Sequence, residues 1–256
     1  LPNEDHEVSK EVEKNFKKSG IKLTKGVKVS KIQSMKQNAK VYLEKKADNE
    51  IIKAEKVLLA VGVTGNINNL GLEDLGIETV AGAIKTDNYN RTNIENIYAI
   101  GDVCGPPWLA HVASAQGHLA AEHSAGLNVH PIDYSNIPGC TYCQPQVGSL
   151  GMTEEQALSS GFKVKVGRFS FQASGKAMAI GNTIGFVKLI FDEKYGELLG
   201  AHIVGSEATE MIAELGMAKA LESTWDDLSM TVHAHPTLSE AIMEAAMDAQ
   251  GHSIHQ

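Results

Sequence analysis

The chain has 256 residues, 43% of them hydrophobic and only 5% aromatic, with a formal net charge of −8 at pH 7. Such a length fits one large domain or two or three small ones, with cores resting on aliphatic side chains. The acid excess and the scattered Lys and Arg argue against a nucleic-acid footprint and oppose binding to an anionic membrane surface. The longest apolar run, Val57 to Val63, is broken by Gly62 and is too short for a membrane span. Three cysteines are too few for a disulfide scaffold, so a reducing interior is the expected compartment. No signal peptide is recognised. The chain opens Leu1-Pro2-Asn3 without Met and enters a helix almost at once, as a piece of a longer protein would.

In chain order, Glu4 to Lys18 reads as a helix, with Val8, Val12 and Phe16 recurring every four residues and Gly20 as its stop. Ile21 to Leu23 is a short apolar strand. Val27 to Met35 and Lys40 to Glu44 alternate as strands about a turn at Gln37-Asn38, and Lys45 to Glu50 is a polar turn. Val57 to Val61 is a continuous apolar run of the kind expected for a strand buried on both faces. Thr64 to Asn69 reads as a crossing linker. An apolar strand then ends at Tyr98-Ala99-Ile100-Gly101-Asp102. A helix rich in small residues follows, from Leu109-Ala110-His111 to about Ala125, with Gly126 as its stop.

From Ile137 the texture changes. Strands are expected at Thr141 to Gln144, Val147 to Met152, Val164 to Phe171, Ile184 to Phe191 and Leu198 to Val204. Thr153 to Gln156 is a capping box that opens a short helix. Ser206 caps a longer one, with Ile212, Leu215, Ala218 and Leu221 on one face. Grouped strands and grouped helices predict an α+β domain on an antiparallel sheet, after an α/β segment.

The most informative stretch is His233-Ala234-His235-Pro236-Thr237-Leu238-Ser239-Glu240. Pro236 removes a donor and pushes His235 toward extended backbone. Thr237 has the composition of a helix N-cap with Glu240 at N3, and Leu238, Ile242, Ala245, Ala246 and Ala249 supply an apolar face. Two readings stand side by side. Thr237-x-x-Glu240 is an ordinary capping box beside a turn histidine. Alternatively, His235 is a base that titrates near neutral pH and Glu240 is the carboxylate that orients it. Such a pair can take a proton from a thiol and stabilise the thiolate.

Other positions carry paired readings too. Gly101-Asp102 offers a carboxylate for sugar or sugar-alcohol hydroxyls at a strand end, or a plain Asx turn. The amides at Leu109-Ala110-His111 can stabilise negative charge on a cofactor ring, or merely start a helix. Gly62 can admit a nucleotide, or begin a turn. Cys140-x-x-Cys143 invites a redox reading, but strand residues follow it, and buried strand cysteines are the main expectation; Cys104 stands alone and inert. Gly-x-Gly-x-x-Gly and Gly-x-x-x-x-Gly-Lys do not occur.

On Tyr98 to Asp102 and His233 to Glu240, the whole chain resembles the C-terminal half of flavin-dependent pyridine-nucleotide disulfide oxidoreductases, in particular the members that serve 2-oxo-acid dehydrogenase complexes. The resemblance implies three segments: 1–63, the C-terminal part of an NAD-binding α/β domain; 64–136, a central, FAD-binding segment; and 137–256, an α+β dimerisation domain. It implies FAD and NAD as cofactors, a homodimer, and the lipoyl domain of such a complex as partner. Asp102 with Gly101 would bind the FAD polyol, the Ala110 amide the flavin, and Gly62 NAD. His235 would be the acid/base, aided by Glu240, and His235-Pro236 a cis peptide. The activity implied is oxidation of protein-bound dihydrolipoyl groups through an active-site disulfide. The family's Cys-x-x-x-x-Cys pair and both phosphate loops are missing here, and Val63 stands where many members have Arg. The 256-residue chain alone is therefore expected to be inactive. Alternatives are a stand-alone dimerisation module without catalysis, another disulfide reductase of the family, or a thiol redox protein using Cys140 and Cys143.

Overall fold

A computed structural model describes residues 1–44 and 50–255. The chain forms two compact units, Leu1–Leu23 with Asp133–Gln256, and Thr24–Ile132. The first helix, α1 (His6–Lys18), belongs to the former unit and follows the four-residue spacing. Asp5 caps it by accepting from the Glu7 amide at 2.9 Å, and Val8 and Val12 are buried with Val147 and Val204. Ile21 to Leu23 is exposed and forms no strand.

The unit of 24–132 begins with an antiparallel sheet, β1 (Lys28–Ser34), β2 (Ala39–Glu44) and β3 (Glu50–Ala54), in that order. β1 and β2 lie where the alternation placed them. β3 was not anticipated; it pairs with β2 in the register Val41 to Ile52. The polar turn expected over Lys45 to Glu50 falls, at 45–49, outside the described residues. Val57 to Val61 corrects the sequence reading: it forms no strand, and Leu58 is 91% exposed. A strand buried on both faces needs ladder partners and covering helices, and among the described residues none pairs with this run. After a two-residue hairpin, β4 (Thr79–Val80) and β5 (Ala83–Ile84), a small core gathers Leu72, Ile77, Ile84 and Ala99. Tyr98 makes only an isolated bridge with Arg91, and Gly101–Cys104 is a 3-10 turn rather than a strand end. α2 (Ala110–Ser124) then runs as predicted.

The remaining strands and α-helices are β6 (Gly139–Thr141), β7 (Gln146–Gly151), α3 (Glu154–Ser159), β8 (Val164–Ser170), α4 (Gly175–Ala179), β9 (Phe186–Asp192), β10 (Leu198–Gly205), α5 (Ala208–Ala220), α6 (Trp225–Met230) and α7 (Glu240–Ala249), with short 3-10 turns at Tyr134–Asn136 and Phe171–Ala173. The strands form one antiparallel sheet, β6-β7-β10-β9-β8. This is the α+β arrangement expected from Ile137 onward. Every residue of β10 is buried, and Leu189, Phe191, Ala201, Ile203, Leu215, Ile242 and Ala245 form the core with α5 and α7 on the sheet. α7 lies so close to β8 that a Cβ at Gly167 would strike the Ala245 carbonyl. The capping box at Thr153 and Gln156 is present. Ser206 is not a cap: Glu207, in the left-handed conformation at φ 59°, precedes α5 and gives no side-chain cap. Leu221 is exposed at the end of α5 rather than part of its buried face, because the helix has already terminated there.

Candidate active site

In the sheet-bearing unit, the residues before α7 carry the most suggestive chemistry. His235 Nδ1 lies 2.9 Å from Glu240 Oε1, and the imidazole is 78% exposed. Glu240 Oε2 accepts from the Thr237 amide at 2.8 Å. The carboxylate therefore performs both tasks that the sequence reading set against each other. One oxygen closes the helix entrance and the other holds the imidazole. Thr237 itself is not the N-cap expected: α7 begins at Glu240, and the Thr237 hydroxyl donates back to the Ala234 carbonyl at 2.8 Å. The His235-Pro236 peptide is cis, as the resemblance implied.

Burial acts to raise the Glu240 carboxyl. The Thr237 amide, the His235 ring and the charge of His233 outweigh it, and the group lies below the usual carboxylate value. An ionised carboxylate only accepts, so the proton on the His235 ring faces Glu240 from Nδ1. Nε2 is then left as a lone pair on an exposed ring, the form a proton acceptor needs.

Two residues with no role assigned from sequence complete this corner. His233 Nε2 lies 2.8 Å from Glu214 Oε1 on α5, and its Nδ1 lies 2.8 Å from the Thr231 carbonyl. Its proximity to His235 was visible in the sequence. Glu214, nineteen residues earlier, gave no local signal.

In the other unit, Gly101 and Asp102 sit in the 3-10 turn packed on α2, with the Asp102 side chain exposed. Gly101 has φ +73°, and a Cβ there would meet Ala113 of α2 at 3.3 Å. The Gly101 amide donates to Gln116 Oε1 at 2.7 Å, and Gln116 is buried. Gly65, passed over as linker, approaches the turn so closely that a Cβ would come within 2.8 Å of the Asp102 carbonyl. Ala110 is the first residue of α2, and Leu109 before it gives no side-chain cap. Gly62 is exposed, with φ +121° and open space around its missing Cβ. Thus one unit brings His235 to Glu240, and the other brings Gly101 and Asp102 to α2.

The cysteines are free and half-buried. Cys140 lies in β6; Cys143 follows it and its thiol donates to the Pro145 carbonyl at 2.9 Å. Burial raises both thiols and pushes Cys104 up to about 11, which disfavours the reactive thiolate. Among the described residues no helix is long and apolar enough to cross a membrane, and no group of three His, Cys, Asp or Glu side chains is arranged to hold a metal.

Residues 1–117 match the model of the pyridine nucleotide-disulphide oxidoreductase family, and residues 137–246 match that of its dimerisation domain. The chain is 48% identical to the dihydrolipoyl dehydrogenase of Rhizobium etli over 98% of its own length and 53% of the relative's. It is 46% identical to that of Zymomonas mobilis, over 100% and 55% of the two lengths. For Bacillus subtilis the identity is 44%, over 100% and 54%. The chain thus spans about half the length of the curated relatives it matches. Among solved structures, LpdA of Mycobacterium tuberculosis superimposes with a TM-score of 0.88 at 27% identity, over 96% of this chain and 53% of that one. The HOCl-induced flavoprotein disulfide reductase RclA of Escherichia coli shares the fold, with a TM-score of 0.88 at 24% identity over 96% and 56%. The chain belongs to the pyridine nucleotide-disulphide oxidoreductase family.

Proposed function

We propose that this chain is the C-terminal portion of a dihydrolipoyl dehydrogenase. The complete protein would oxidise a protein-bound dihydrolipoyl dithiol to the cyclic disulfide and reduce NAD⁺ to NADH, with release of one proton. The observation that carries this reading is the His235–Glu240 pair, which holds an exposed imidazole with its Nε2 free for a thiol proton. The identity of the relatives, at 44–48%, favours the dihydrolipoyl substrate over other disulfides.

FAD and NAD are the cofactors of such an enzyme, and the residues present fit them. The exposed Asp102 carboxylate beside Gly101 suits the flavin polyol. The α2 amides, with Ala110 first, suit the electron-rich edge of the ring. Gly62 leaves room for a nucleotide. When bound, FAD relays the electron pair from dithiol to NAD⁺. The chain's own part is to place Asp102 and the helix amides, and to hold the thiol proton at His235 Nε2.

The segments 1–63, 64–136 and 137–256 would correspond to NAD-binding, central and dimerisation parts. Exposed Met217, Met230 and Val232 offer apolar surface to a second copy in a homodimer. The lipoyl domain of a 2-oxo-acid dehydrogenase complex would be the partner, in a reducing cytoplasm or matrix. The test is NADH formation from dihydrolipoamide by the complete protein. A flavin-loaded, folded protein without turnover overturns the reading. The 256-residue chain, which has no Cys-x-x-x-x-Cys, should form no NADH alone.

A further inference from the structure

The exposed His235 ring is held by the Glu240 side chain, and the corner on which it stands has an anchor of its own. The neighbouring histidine is built in the opposite way. The His233 side chain is only 5% exposed, and both of its ring nitrogens face acceptors. The Thr231 carbonyl can only accept, so Nδ1 carries a proton. Glu214 Oε1 stands against Nε2 at 2.8 Å. The ring is thus held at both ends, by the Thr231 carbonyl on one nitrogen and by Glu214 on the other.

The anchor and the corner come from different elements. Glu214 lies in the body of α5, whose Leu215 and Ile212 are core residues. His233 lies in the irregular segment between α6 and α7, two residues before His235. The ring therefore ties that segment to a rigid helix. The Thr237 hydroxyl bond to Ala234 and the Glu240 bond to the Thr237 amide close the other side.

We propose that His233 and Glu214 are positioning residues for the reaction: a buried hydrogen-bonded clamp that fixes the loop presenting His235 and keeps its Nδ1 against Glu240. The pair does not need to touch substrate. The proposal rests on the function proposed above, and the two can fail separately.

The test uses Glu214→Leu and Glu214→Gln. Leu removes the polar partner of Nε2, whereas Gln keeps one. In the complete protein, Glu214→Leu should lower kcat by at least about tenfold with KM for the dithiol within about twofold, as misplacement of a general base does. Glu214→Gln should stay within about threefold of the unchanged protein. In the ¹⁵N-labelled 256-residue chain, the ring-nitrogen shifts of His235 should show the proton on Nδ1 in the unchanged and Gln forms, and averaging over both nitrogens in the Leu form. Unaltered kcat and unaltered His235 shifts in Glu214→Leu overturn the proposal. So does a Glu214→Gln as defective as Glu214→Leu. If the complete protein turns over no dihydrolipoamide, the functional reading fails, and the nitrogen shifts still decide the clamp.

Discussion

Lys188 lies in the middle of β9, 1% exposed, where an unpaired ammonium would be untenable. Its Nζ is 3.0 Å from both Asp5 oxygens and 2.7 Å from Glu7 Oε1 and Glu154 Oε2. Arg168 holds Glu7 at 2.7 Å and Glu154 at 3.2 Å. The network fastens the start of α1 to the five-stranded sheet. In Lys188→Met the stem volume stays and the charge goes. Glu7 and Glu154 keep Arg168 and some solvent, but Asp5 is buried and keeps only backbone amides, chiefly that of Glu7. Leaving one buried charge uncompensated costs about 3–5 kcal/mol, a large share of a typical domain's stability. Adding Asp5→Asn removes that charge and keeps an oxygen for the Glu7 amide, so it should restore about half of the loss. Urea unfolding followed by Trp225 fluorescence measures both, since Trp225 packs edge-on against Phe191 of the same sheet. Trp108, in the other unit, is replaced by Phe beforehand. A loss under about 1 kcal/mol in Lys188→Met refutes the reasoning, as does an Asp5→Asn that adds a further loss.

The same network sets a pH window. Asp5 and Glu7 are lowered in the folded state, Glu7 from 4.5 to about 2 under the pull of Arg168 and Lys188. Their stabilisation is present above the unfolded values and is lost as pH falls through the folded ones. Glu7 is partly exposed, so solvent screening reduces its share to about 1–2 kcal/mol. Lys188 is raised above 10.5, and its share is present below that value and lost as pH rises past the folded one. Unfolding free energy should therefore decline on acidification from about pH 5 to 2, less steeply in Lys188→Met; parallel slopes would contradict this. In the complete protein, His235→Gln should lower turnover at least about 100-fold, as loss of a general base does, and a near-normal rate in a steady-state assay would count against its role. Replacing Cys140 and Cys143 with Ser should leave that turnover unchanged, because burial raises both thiols; a large loss would revive them as a redox pair.

What could be read from the sequence was what local chemistry determines. The spacing of Val8, Val12 and Phe16 found α1, and the run of short strands after Ile137 found four of the five strands of the main sheet, whereas β6 (Gly139–Thr141) ends where the expected Thr141 to Gln144 strand begins. The Thr153 box found α3, and the pairing of His235 with Glu240 was visible five residues apart. Misses occurred where a distant element decides. β3 is a strand because β2 offers it a ladder. Tyr98 to Asp102 finds only one bridging partner, so the anticipated strand gives way to a 3-10 turn. Ser206 had the right composition for a cap, but Glu207 takes a left-handed turn that aims the chain into α5. Glu214, Gln116 and Gly65 matter through contacts with residues far along the chain, and no short motif marks them.

Val57 to Val63 shows how a sequence can specify a need without specifying what meets it. Its composition is that of a strand buried on both faces, yet Leu58 and Val61 stand open and no strand forms there. Backbone donors and acceptors along such a run are a template for another chain, and an apolar run with three valines, no charge and no proline makes an association segment. The 256-residue chain should therefore self-associate through this run at micromolar concentration. Leu58→Ser with Val61→Thr should raise the concentration at which light scattering appears by several-fold. Because both side chains are solvent-exposed, the unfolding free energy reported by Trp225 should change by less than about 0.5 kcal/mol. If the unaltered chain stays monomeric at high concentration, or if the double substitution unfolds the sheet-bearing unit, then the run is satisfied within the chain and the argument from its exposure is wrong.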